Sequence, residues 1–163
     1  MTDPLNLYLI DHLTAATGGL RLAERTRDAH DDGSDPELHT QLQALTEEIR
    51  EDRAELRRIV SLAGATPDPV KLVAAVAGEL VGRLKLNGRL VRRSPLSSVV
   101  ELEGLTIAIR GKRCGWTALD ALNDPRFADV DFDELIRRAD DQYERVDAAR
   151  RRVAVSVLSR SSV

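Results

Sequence analysis

The chain is short of cysteine, aromatics and lysine, and it has no long hydrophobic run. A single cysteine, Cys114, excludes an internal disulfide and a cysteine-based zinc site. Its apolar runs fall far short of the ~20 residues a helix needs to cross a bilayer. The alternating apolar–polar pattern of strands is missing, as are internal repeats and low-complexity stretches. A net charge of −3 argues against attraction of the whole protein to nucleic acid. Only three of the 24 basic residues are lysine, which, with so much Ala, Asp and Val, points to a GC-rich genome. The N-terminal MTDPLNLYLID has no basic region before its apolar residues and no cleavage site, so a cytoplasmic protein is expected.

What is present is clear helix punctuation. With 42% hydrophobic and 31% charged residues, 163 residues predict one soluble helical domain over 1–163. Thr2-Asp3-Pro4 and Asp35-Pro36-Glu37 each combine a capping residue with proline at the first helical position, where the missing N–H costs nothing. Ser94-Pro95 repeats the device. Long helices are predicted at about 4–29, 36–63, 95–122 and 132–158. Between the second and third lies a connection, 65–93, whose Val73, Val76, Ala77, Leu80 and Leu84 predict a shorter helix. Two short-looped hairpins joined by one long crossover give an all-α, ferritin-like four-helix bundle, with the second and third long helices parallel.

Each apolar stripe carries a polar residue. The second helix runs Leu38, Leu42, Leu45, Ile49, then skips to Leu56 and Ile59, and the missing position is Asp52. In the last helix Gln142 interrupts Phe132, Leu135, Ala139, Val146 and Ala149. Arg113 falls within the stripe of Leu102, Leu105, Ile109 and Trp116, and His12 flanks that of Leu5, Leu9 and Leu13. Counting outward from the two short loops brings His12, Asp52, Arg113 and Gln142 to one level within about one turn. The expectation is a polar core layer in which Asp52 pairs with Arg113 and is completed by Gln142 or His12, because a buried carboxylate is tolerable only when paired and hydrogen-bonded.

Ferritin-like proteins hold two metals in such a layer, using a Glu from each of two helices and a Glu-x-x-His from each of the others. This chain has no Glu-x-x-His, and an arginine is the wrong sign beside two dications. An alternative metal set remains: His12, Glu48, Asp52 and Glu101, for iron or manganese in a di-metal-carboxylate oxidoreductase or an iron-binding protein.

The strings YLIDHLTAATGGLRLAER, EEIREDRAELRRIV, GRLKLNGRLVRRSPLSSVVELEGLTIAIRGK and CGWTALDAL resemble an actinobacterial family of small helical proteins described as ferritin-like. The segment GRLKLNGR…SPLS…ELEGL is the most specific part. The resemblance implies the ferritin-like fold and a cytoplasmic location, and it supplies no reaction.

A third reading concerns the basic crossover. Arg83, Lys85, Arg89, Arg92 and Arg93 stand together without an acid, as a phosphate- or nucleic-acid-binding patch would. No aromatics interleave them, as a single-strand platform would require. The simpler reading is a solvated connection, with Leu80 and Leu84 packed inward and Arg83, Lys85 and Arg89 left exposed. The preferred expectation is a non-catalytic bundle without a cofactor or membrane partner. It would act by association as a homodimer, with close helix approach explaining Gly18, Gly19, Gly104 and Gly111 inside helices.

Overall fold

The computed structural model describes residues 3–30, 33, 35–65 and 94–159. Among them are four long helices and no strand: α1 (Pro4–Asp28), α2 (Pro36–Leu62), α3 (Pro95–Ala121) and α4 (Phe132–Leu158), with a single 3-10 turn at Pro125–Phe127. None of these helices is long and apolar enough to cross a membrane. The predicted crossover helix and the basic residues Arg83, Lys85, Arg89, Arg92 and Arg93 lie outside the described residues.

Local chemistry explains where the helices begin. The Asp3 carboxylate accepts from the Leu5 N–H at 3.1 Å, and Pro4 follows it. Asp35 accepts from Leu38 N–H at 3.0 Å ahead of Pro36, and Asp131 from Glu134 N–H at 2.9 Å. At α3 the Ser97 hydroxyl accepts from the Ser94 N–H at 3.2 Å. Each bond satisfies one of the backbone groups that a helix end leaves open. Gly64 stops α2 at φ +69°, a left-handed conformation that suits a residue without a Cβ.

α1 packs along α2, and α3 along α4; α1 also packs along α3, and α2 more lightly along α4. The pairs α2–α3 and α1–α4 are therefore the diagonals. Arg25 meets Glu101 at 3.6 Å near one end of the α1–α3 seam, and His12 lies against Gly115 towards the other, so these helices are antiparallel. Glu24–Arg50 at 3.0 Å and Thr17–Arg53 at 3.0 Å set the same sense for α1 and α2. α2 and α3 consequently run parallel across the diagonal.

The core is continuous along the bundle. Leu9, Leu38, Ile59, Leu102 and Leu105 are fully buried, each contributing about 1.5–3 kcal/mol of hydrophobic stabilisation. Phe127 and Phe132 meet edge to face, their centroids 6.4 Å apart, where the chain turns from α3 into α4.

Candidate functional site

Asp52 is the one carboxylate drawn into the centre of the bundle from α2, its side chain 3% exposed. Lys112, from α3 on the far diagonal, donates to its Oδ2 and also to the Oε1 of Gln142. The Gln142 amide nitrogen donates to the same Oδ2 at 3.1 Å. Arg138 of α4 closes on Oδ1, at an angle outside hydrogen-bond geometry, so this contact is Coulombic and not a directed bond. Its other arm reaches Glu51 at 3.3 Å. Three helices thus surround one carboxylate with two cations and an amide. Gln142 is completely buried, and both ends of its amide are used. Burial holds the Lys112 pKa below the usual lysine value, while Asp52 pulls it upward.

Arg113 takes no part in this layer. It lies at the α3–α4 surface, where its Nε donates to Asp140 at 2.6 Å and Thr117 donates to its carbonyl. Asp140 also receives Arg110 at 3.4 Å. The physical reason is helical phase. At 100° per residue, positions 112 and 113 lie equally about 50° to either side of the centre of the stripe 102, 105, 109 and 116. Leu119, also buried, shifts that centre towards 112 and completes a 3-4-3-4-3 spacing over 102, 105, 109, 112, 116 and 119, while buried Val99 at the start of α3 shifts it back. That spacing was the signal for Lys112. Arg138 had a weaker one, standing four residues before Gln142 on the same face.

The alternative metal set is not brought together. Glu48 accepts from Arg145 at 2.6 Å on the α2–α4 face. Glu101 pairs with Arg25, eleven residues and so roughly 16 Å along α3 from Lys112. His12 packs its ring on Tyr8, with centroids 4.4 Å apart. Among the described residues no three His, Cys, Asp or Glu side chains gather as a metal-holding group. The donor set therefore does not fit a di-metal centre, and the carboxylate that would anchor one already faces two cations.

Beside the ion cluster lies a cavity of about 270 Å³ between α1, α2 and α3, bounded by His12, Ile49, Asp52, Leu56, Lys112 and Trp116 among others. Small residues shape its α1–α3 side. A Cβ on Gly115 would sit 2.9 Å from the His12 ring; away from the cavity, one on Gly104 would sit 3.0 Å from Leu22. A Cβ on Gly19 would lie 3.7 Å from Ala108. For Gly19 and Gly104 the expected close approach is thus within the chain, whereas a Cβ on Gly111 would meet nothing within 4 Å. Trp116 is 2% exposed and its indole N–H has no partner among the described residues. His12 is half-buried, and burial pulls its pKa below the usual histidine value against the opposing effect of Asp11.

No family model, curated protein or solved structure matches this chain.

Chemically, the cluster can hold charge but has little with which to react. Every oxygen of Asp52 faces a cation or an amide, and Lys112 is engaged on two sides. Cys114, the one thiol, is exposed on the outside of α3.

Proposed function

We propose that the chain is a non-catalytic bundle of the ferritin-like type, acting by association as a homodimer, in which an ion cluster stands where a di-metal centre would otherwise be. The observation that carries this reading is the occupancy of Asp52 by Lys112, Arg138 and Gln142. A metal would have to displace two cations from Asp52. The parallel α2 and α3, joined by a long connection between two short-looped hairpins, support the ferritin-like assignment. Exposed apolar side chains, with Ile107 69% and Leu122 53% accessible on α3, support a role in association.

The deciding experiment is elemental analysis of protein purified without chelator, followed by titration with ferrous iron monitored by absorbance. The expected result is less than stoichiometric iron or manganese and no saturable band. One or two tightly held metals per chain would overturn the reading. Light scattering coupled to gel filtration addresses association, with a dimer mass expected and a monomer at all concentrations contradicting it.

A further inference from the structure

We propose that the cavity between α1, α2 and α3 is a binding site for a small, largely apolar monocarboxylic acid. Protein interiors are close-packed and leave few voids larger than a water molecule. This pocket, about 270 Å³ and partly open with the exposed Ile107 on its rim, has more room than the ~150 Å³ engineered cavity that takes up benzene. A second void, between α2, α3 and α4 beside Leu38 and Leu102, measures only about 20 Å³.

The lining defines the ligand. Ile49, Leu56, Leu105, Ile109 and Leu119 make the walls apolar. The polar groups around them are nearly all donors. Trp116 is buried and its indole N–H has no acceptor among the described residues, an arrangement that costs free energy until an acceptor arrives. Arg53 lines the same cavity, spends its Nε on the Thr17 hydroxyl at 3.0 Å and meets no carboxylate among the described residues. Among the described residues the only carboxylate in the lining, Asp52, is already taken by Lys112, Arg138 and Gln142. With Lys112 and Arg53 against Asp52, the lining carries one net positive charge when His12 is neutral. An apolar body fills the space, and a carboxylate supplies the acceptor and the negative charge that the lining lacks. Gly111 borders the cavity, and no neighbour demands a glycine there. Its missing side chain keeps that border open, although glycine costs about 1 kcal/mol relative to alanine inside a helix.

Trp116 is the only tryptophan in the chain, so its fluorescence reports directly from the wall. The experiment titrates the full chain with octanoate, 1-octanol and octylammonium below their aggregation concentrations, reading Trp116 emission and checking stoichiometry by calorimetry. Octanoate should bind saturably at one per chain, with 1-octanol weaker by about tenfold or more and octylammonium without effect. Arg53→Gln, at a partly exposed position that leaves the core intact, should weaken octanoate by about tenfold while leaving 1-octanol nearly unchanged. Gly111→Leu should weaken both. Equal affinity for octanoate and 1-octanol would overturn the carboxylate assignment. Absence of saturable binding, or octanoate binding untouched by both substitutions in variants that melt like the wild type, would overturn the site. Neither result depends on the metal content of the protein.

Discussion

Asp52 and Asp140 are both helix aspartates held by basic residues of α3, and those basic residues, Lys112 and Arg113, are consecutive. The Asp52 side chain is 3% exposed and that of Asp140 is 42% exposed. At the surface, water solvates each partner as well as the other partner does, and salt screens what attraction is left. In the core, neither Asp52 nor Lys112 has a comparable alternative, so each becomes a liability once the other is removed. One step of 100° along a helix separates an interaction the fold depends on from one it can lose.

The strongest way to break that contrast is Asp52→Leu, which strands Lys112 without its carboxylate and Gln142 without its acceptor. A loss of about 3–5 kcal/mol is expected in chemical denaturation. The double variant Asp52→Leu/Lys112→Met should lose much less, giving a large coupling energy in the double-mutant cycle; additive single effects would show that the two side chains do not interact. Gly115→Ala probes tightness elsewhere in the interior. Its new Cβ would lie 2.9 Å from the His12 ring, so a loss of about 1–3 kcal/mol is expected, largely restored by adding His12→Ala.

Alkaline pH sharpens the contrast between the neighbours. Because burial puts the folded-state pKa of Lys112 below the ordinary 10.5, the unfolded chain holds more protons at this site in the interval between the two values. The cost of keeping Lys112 charged is present below that interval and disappears as pH rises through it to 10.5. The stability difference between wild type and Lys112→Met should therefore move in favour of wild type as pH is raised towards 10.5. Movement the other way would mean that attraction to Asp52 outweighs desolvation. The smallest effect belongs to Arg113→Leu, whose denaturation curve should overlay that of the wild type, since its partner Asp140 is open to water.

The helix starts could be read from the sequence because capping is local: an Asp or Ser followed by proline commits the backbone within three residues. The depth of Asp52 and Gln142 could also be read, since each replaces an apolar residue in an otherwise regular stripe. The partner of Asp52 was harder. The buried residues of α3 leave 112 and 113 nearly equivalent in phase, and only the unbroken 3-4 spacing through Leu119 favours 112. The cavity had no sequence signature. It arises where α2 and α3 face each other across the diagonal, bridged by Asp52 and Lys112, while α1 approaches α3 over Gly19 and Gly115. Such a gap is a product of three helices together and cannot be found in any one of them.

Gln142 offers an acceptor to Lys112 and a donor to Asp52, so the cluster is a lock with a direction as well as a place. The leucine layers above and below it resemble one another, and any of them could face a neighbour displaced by one turn, about 5.4 Å. Such a slide would set Asp52 opposite apolar residues such as Ile109, Ala139 or Val146 and leave Lys112 and the Gln142 amide with apolar company. Only one alignment of α2, α3 and α4 satisfies all of them together. The single polar layer therefore selects the register of three helices whose greasy faces are otherwise nearly interchangeable.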